Sequence, residues 1–281
     1  MKKTNYHIHT NYCDGQNSME DMILSAISRN FNSIGISSHA PLDYQNDWTM
    51  PQDKLSQYIE ELTLQKNKYR TKIQINSGLE IDYYMHTKQI SKSAIRVLKN
   101  LDYWIGSIHC LGVMSNGEVA YIDDTEENFK EGIEQLYHGN VQKAVCNYYE
   151  SIGDMAVKFH PDIIGHIDLI KKNNSHQQFF NENAEWYQKA WRGALIKIKQ
   201  SGSILEINTG GAFRYGIRCL YPSLDILKAA IQLQIPLTID TDAHCIQAVD
   251  FMMDSILDEL KFLNVDTVMY YNGKKWISQK I

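Results

Sequence analysis

The chain has 281 residues, of which 43% are hydrophobic and 22% charged, with only five prolines. This composition excludes a disordered chain and describes a globular protein with a sizeable core. A formal charge of -5 argues against a dominant basic face for nucleic acid. The N-terminal MKKTNYHIHT lacks the apolar stretch of a signal peptide, and no apolar run reaches the length of a membrane span, so the reading is a cytoplasmic protein without a membrane segment. Five widely spaced cysteines without any C-x-x-C suggest neither a disulfide framework nor a thiolate zinc site.

In chain order, the run TNYHIHT reads as a strand whose His7 and His9 share one face while Ile8 turns to the other. Asn17 and Glu20 then form a capping-box signal for a helix carrying Met19, Met22, Ile23, Ala26 and Ile27. After SIGISSHA, Pro51 opens a helix with Leu55, Tyr58, Ile59 and Leu62; after IQINSGLEIDY, a third helix carries Ile90, Ala94, Val97 and Leu98. YWIGSIHC precedes a second capping box at Asp124 and Glu127, which opens a helical region over about 125–159, broken near His138-Gly139-Asn140. DIIGHIDL is followed by a helix over 179–200 with a stop at Gly202, SILEINTG by one opened at Pro222, and PLTIDTDAH by one over 249–263. Asn272-Gly273 signals a closing hairpin. Seven β-like runs alternating with helices predict an α/β protein with a parallel sheet, and the absence of linkers or repeats favours one domain over 1–281.

The ends of those runs carry His7, His9, His39, Glu80, His109, His166, Glu206 or Asn208, and Asp242 with His244. In a barrel of parallel strands all these ends meet at one rim. Six of the ten histidines lie there, whereas His86, His138, His160 and His176 fall in helical or loop stretches and read as surface or packing residues. Converging imidazoles and carboxylates repel or desolvate one another unless a cation neutralises them. Mixed nitrogen and oxygen ligands suit Zn²⁺, Mn²⁺ or Fe²⁺ better than Ca²⁺ or Mg²⁺.

H-x-H, S-H, G-L-E, G-S-x-H, G-H-x-D and D-x-D-A-H, in this order, resemble the polymerase and histidinol phosphatase (PHP) family of metal-dependent phosphoesterases. NSGLEIDY, IGSIHCLG, IIGHIDLI, and LEINTGG followed by YPS are similar to its monofunctional histidinol-phosphate phosphatase branch. The resemblance implies a distorted (β/α)7 barrel with three divalent metal ions. His7, His9, Glu80 and Asp242 would hold the first, Glu80, His109 and His166 the second, and Asp14, His39 and His244 the third. Asp14 stands where some relatives have histidine, and Ser38 where relatives often have aspartate. The implied substrate is a small phosphate ester, L-histidinol phosphate.

For such chemistry, cations lower the pKa of water for in-line attack at phosphorus and neutralise the phosphoryl oxygens. Glu80 would act at the metal bridge, and Asp242 or His244 would protonate the leaving group. Arg214, with Arg218 second, offers a planar donor fork to phosphate, while Ser107 and Asn208 are candidate polar lining and Gly210-Gly211 allows close backbone approach. A PHP nuclease or nucleotide phosphoesterase would want a basic channel with stacking aromatics, which this acidic chain does not announce. A metal-dependent amidohydrolase also grows from H-x-H but commonly bridges its metals through lysine. A catalytically silent metal-binding regulator would keep the ligands without turnover. A nucleophilic cysteine at Cys13 or Cys110 is not needed once the histidines are metal ligands.

Overall fold

The computed structural model describes residues 1–281. The strands are β1 Thr4–Asn5, β2 Ser33–Ile36, β3 Gln74–Ser77, β4 Glu80–Tyr84, β5 Gln89–Ile90, β6 Ile105–Ser107, β7 Cys110–Val113, β8 Val119–Tyr121, β9 Ile163–Ile164, β10 Ile204–Asn208, β11 Leu237–Asp240, β12 Thr267–Tyr271 and β13 Trp276–Lys280. Parallel ladders run in two sheets, β1-β2-β3 and β11-β10-β9-β6-β4, with β5 antiparallel on β4 at the edge. Single parallel bridges join the two sheets, Ile8 to Ala243 and His39 to Glu80. The fold is therefore mixed α/β with parallel strands, and its contacts between sheets lie where the site residues sit.

The run IQINSGLEIDY is two strands, because the chain bends at Gly78 between β3 and β4. A Cβ at Gly78 would stand 2.4 Å from the Tyr103 ring, so only glycine lets that buried tyrosine lie under the bend. Glu80 consequently opens a strand and does not end one. The other site residues follow a regular offset: His109, His166 and Asp242 each stand two residues beyond β6, β9 and β11.

The first helix is Met19–Ser28, and its cap is Ser18, which accepts from the Asp21 N–H; Asn17 instead accepts from the Ile246 N–H. Met19, Met22, Ile23 and Ala26 are its buried face, each large side chain contributing about 1.5–3 kcal/mol. Pro51 leads through a short 3₁₀ turn into helix Leu55–Tyr69. Ile90 belongs to β5, and the next helix is Lys92–Val97, capped by Ser91. The fourth helix is capped by Thr125, one residue past the expected Asp124; it runs over Glu126–Tyr137, after which His138 turns left-handed and Val141–Phe159 begins. Residues 179–184 are not helical, so the following helix is Glu185–Ser201, closed by Gly202 at φ +78°. Helices Leu224–Gln232 and Met253–Phe262 complete the layer, and β12 pairs antiparallel with β13 around Asn272-Gly273 as the turn signal predicts. No helix is long and apolar enough to cross a membrane.

Candidate metal centre

At the strand ends the imidazoles form a contiguous array. Ring centroids of His9 lie 5.0 Å from His7, 4.3 Å from His39 and 4.1 Å from His244, and His109 lies 5.2 Å from His39 and 4.9 Å from His166. Glu80, buried at the junction of the sheets, sits among them: its carboxylate is 3.1 Å from His7 Nε2, 3.4 Å from His9 Nε2, 2.9 Å from His39 Nδ1 and 2.8 Å from His166 Nε2. Asp242 Oδ1 lies 3.1 Å from His9 Nε2, and Asp14 Oδ2 lies 3.2 Å from His244 Nε2.

Three sets of ligand atoms fall within 4.8 Å of one another: His9, Asp14, His39 and His244; His7, His9 and Asp242; His39, Glu80 and His109. The structure thus brings together all the residues named as ligands, with a different sharing from the one the resemblance implies. His9 joins the Asp14 set, His39 joins the Glu80 set, and His166 meets that set through Glu80.

Opposing fields act within the cluster. Burial disfavours the His7 cation, yet Glu206, Glu80 and Asp242 outweigh it and raise its pKa well above the ordinary imidazole value. Burial together with His244 and His39 holds His9 well below that value. Burial of Glu80 disfavours its anion, yet His39, His7 and His109 outweigh it and hold the carboxyl well below the usual carboxylate range. His7 Nε2, His9 Nε2 and Glu80 Oε2 are also buried without hydrogen-bond partners. Such atoms are costly unless something completes them, and a divalent cation between imidazole nitrogen and carboxylate oxygen does so. The residues fit a metal, and the donor set is that of Zn²⁺, Mn²⁺ or Fe²⁺.

Side chains behind the array orient it. Asp82, two residues beyond Glu80 and on the same strand face, binds the His109 ring, and Glu206 binds His7 Nδ1. In the sequence Glu206 stands only as an alternative strand end and Asp82 goes unnamed, although E-x-D within a strand places Asp82 on the face of Glu80.

The array opens into a cavity of about 570 Å³. Arg214 lines it and is committed to the cluster: Nη2 donates to Asp242 Oδ2 at 2.9 Å, and Nη1 donates to the Asp242 carbonyl and to His244 Nδ1. Arg218 does not line the cavity; it reaches the Asn174 carbonyl and pairs with Glu182 at 3.0 Å. Ser107 and Asn208 are buried outside the cavity wall, Asn208 bonding Glu206 and the Gly210 N–H. A Cβ at Gly210 would stand 2.7 Å from Asp242 Cβ, so this glycine makes room for Asp242, whereas Gly211 lines the cavity. No residue of 125–159 contributes to the wall. Lys172, Trp48, Tyr121, Asp123 and Tyr221 do, and sequence reasoning missed them.

His138, His160 and His176 adopt positive φ, and His138 and His160 end helices there, a role in which histidine is enriched. All five cysteines are free. Cys13 Sγ lies 3.5 Å from His9 Nδ1, but burial pushes its thiol up to about 12, opposite to what a thiolate nucleophile needs.

Residues 5–210 match the PHP domain. The histidinol-phosphatase of Bacillus subtilis is 29% identical over 272 residues, 92% of this chain and 99% of that protein. The crystal structure of hisK from Listeria monocytogenes matches with a TM-score of 0.76 at 26% identity, covering 90% of this chain and 99% of that one. The histidinol phosphate phosphatase of Lactococcus lactis, solved in complex with zinc, L-histidinol and phosphate, matches with a TM-score of 0.71 over 98% of this chain and 99% of that one; at 19% identity it shows the fold alone. With the family match covering most of its length and its candidate ligands gathered at the strand ends, this chain belongs to the PHP family.

Proposed function

We propose that the chain is a metal-dependent phosphomonoesterase that hydrolyses L-histidinol phosphate to L-histidinol and phosphate, a step of histidine biosynthesis. The observation that carries this reading is the convergence of His7, His9, Asp14, His39, Glu80, His109, His166, Asp242 and His244 beside a cavity that Asp14, His39, His109, His166, Asp242 and His244 line together with Arg214. The B. subtilis relative bears the name of this activity over nearly its whole length, and the L. lactis neighbour was solved with the two products. We read the ligand set as holding three divalent ions, the two bridged sheets as one distorted (β/α)7 barrel, and 1–281 as a single domain, since one apolar core takes residues from Ile8 to Val268.

Bound divalent ions supply charge neutralisation for the phosphoryl oxygens and an acidified water. The chain's own residues bind and orient the ester. Arg214 uses three of its five N–H groups on Asp242 and His244, which leaves two for a phosphate oxygen. Asp242 or His244, beside it, would accept the proton given up by the attacking water and return it to the leaving alkoxide. Glu80 keeps the imidazoles in one array and is the candidate bridge between ions.

The test is phosphate release from L-histidinol phosphate beside sugar phosphates, nucleotides and a short oligonucleotide, with Zn²⁺, Mn²⁺ or Fe²⁺ restored to chelated protein. A metal-dependent preference for L-histidinol phosphate is expected. Faster turnover of a nucleotide or oligonucleotide would replace the substrate assignment, and metal binding without any turnover would favour the silent regulator.

A further inference from the structure

The first and last parallel strands, β1 and β11, meet without a ladder. On its other edge β11 pairs with β10 from Leu205–Leu237 to Asn208–Asp240. Toward β1 the chains touch through the single bridge of Ile8 and Ala243: His9 N–H donates to the Ala243 carbonyl at 2.9 Å, and Ala243 N–H to the His7 carbonyl at 3.1 Å. Just before that bridge, side chains replace the backbone as acceptors. Tyr6 N–H donates to Asp240 Oδ1, and Thr241 N–H donates to Asn5 Oδ1 at 3.3 Å, so each chain's N–H is taken by a side chain of the other.

Asn5 carries most of this seam. It is fully buried, and its amide uses its whole hydrogen-bonding capacity. Besides the Thr241 N–H, Oδ1 accepts the His7 N–H two residues on at 3.0 Å, while Nδ2 donates to Thr241 Oγ1 at 2.6 Å and to the Val249 carbonyl at 3.0 Å. Aspartate lacks the donors for this role, and serine lacks the reach. A buried polar group with every bond made stiffens its surroundings, and one left half-made is costly, so the seam has one favoured spacing.

Candidate metal ligands lie on both sides of the seam. His7 and His9 follow Asn5 on one chain, and Asp242 and His244 follow Thr241 on the other. Two ligand sets draw on both chains, His7 and His9 with Asp242, and His9 with His244, whereas the set of His39, Glu80 and His109 draws on neither. We infer that Asn5 is a positioning residue of the metal centre: its amide sets the spacing of the two closing chains, and with it the separation of His7 and His9 from Asp242 and His244. Its hydrogen bonds reach no ligand side chain; it acts through the His7 and Thr241 N–H groups, the Thr241 hydroxyl and the Val249 carbonyl. The inference rests on the reading of the array as a metal centre and does not depend on which ester is hydrolysed.

The experiment titrates Zn²⁺ into the chelated full chain against a competing dye, for wild type, Asn5→Ala, Asn5→Asp and Thr241→Val, with thermal melts of each metal-free protein alongside. Asn5→Ala is expected to weaken at least one binding step about 10- to 100-fold while another keeps its wild-type affinity, because one ligand set does not cross the seam. Asn5→Asp keeps both bonds to Oδ1 and can accept from the Thr241 hydroxyl, so it should restore most of that affinity. Thr241→Val strands one buried donor of Asn5 and should weaken the same step to a smaller degree. An asparagine that serves stability alone would lower the melting temperature of Asn5→Ala and leave every step unaltered, or weaken all steps alike; either result would overturn the inference. Should Asn5→Ala not fold, unaltered binding in Thr241→Val would overturn it equally. A wild type that binds no Zn²⁺ would remove the metal-centre reading itself, and the inference with it.

Discussion

Asp82 Oδ1 accepts both the backbone N–H and the ring Nδ1–H of His109, each at 3.0 Å. A carboxylate can only accept, so this contact keeps a proton on Nδ1 and turns Nε2 toward Glu80 at 3.6 Å, where a bound cation would take the place of the Nε2 proton. Asp82 and Glu80 together outweigh burial and push the His109 imidazole up to about 10, so Asp82 makes the ring a stronger electron donor as well as aiming it. Asp82→Asn is therefore expected to lower affinity for a divalent metal about 10- to 100-fold. Competition against a chelating dye measures it, with circular dichroism to establish that the fold is kept; wild-type affinity would show that the ring is positioned by packing alone.

Arg214 illustrates how the structure changes an expectation. A free guanidinium that only clamps phosphate would, on removal, raise KM and spare kcat. Here it also holds Asp242 through both the carboxylate and the carbonyl, and its charge helps keep the Asp242 carboxyl well below the usual range. Arg214→Ala should raise KM and also lower kcat and metal content, whereas Arg214→Lys restores charge but not the fork. Steady-state kinetics with metal analysis separates the two roles, and a pure KM effect at full metal content would return Arg214 to the simpler one.

The ligand array was legible because strand periodicity places i and i+2 on one face and because chemistry at strand ends repeats along the chain. Its tuning partners Asp82 and Glu206 obey the same rule and were readable in principle. Trp48 and Asp123 were not, since they sit in loops whose path is set by tertiary contacts such as the Asp43 N–H donated to the Tyr84 hydroxyl, and Tyr221 is placed by an isolated antiparallel bridge to Asn208. Proximity in sequence also misled: Arg218 is four residues from Arg214 yet turns to Glu182, and Ser107 precedes His109 by two yet is held against Gly165, whose absent side chain leaves the room. Helix caps slipped by one residue because adjacent Asn17 and Ser18, or Asp124 and Thr125, offer equivalent oxygens, and backbone entry geometry chooses between them.

Asp154 gives a pH-dependent contribution to stability away from the site. It joins helix Val141–Phe159 to Lys197 at 2.7 Å and Lys88 at 3.0 Å, and despite partial burial these lysines hold its carboxyl below its ordinary value. A folded pKa below the unfolded one means stability that is present above the unfolded value near 3.8 and lost as pH falls through the folded one. Because the group is a quarter exposed, the expected loss in Asp154→Asn is about 1 kcal/mol or less at neutral pH. Thermal melts at pH 7 should separate variant from wild type, the gap should shrink progressively as pH falls below 3.8 and through the lowered folded value, and added salt should narrow the difference at pH 7. A gap that persisted at low pH would assign the effect to packing.

Gly210 offers the most direct test of how the backbone serves the metal ligands. Asp242 holds φ at +46°, a conformation aspartate tolerates better than most residues, and its Cβ faces the bare Cα of Gly210. An added methyl would meet Asp242 Cβ and the Thr241 carbonyl at 2.7 Å, so one of two strand ends must move. Neither is free to do so: Thr209 N–H is bonded to the Asp240 carbonyl, and Asp242 is held by Arg214. Gly210→Ala should cost about 1–3 kcal/mol of stability by overpacking and should also displace Asp242 from His9. The variant is then expected to melt lower, bind metal less well and turn over more slowly even with excess metal. Lower stability with unaltered metal affinity would mean that strain relaxes through helix Gly210–Tyr215, leaving Asp242 in place.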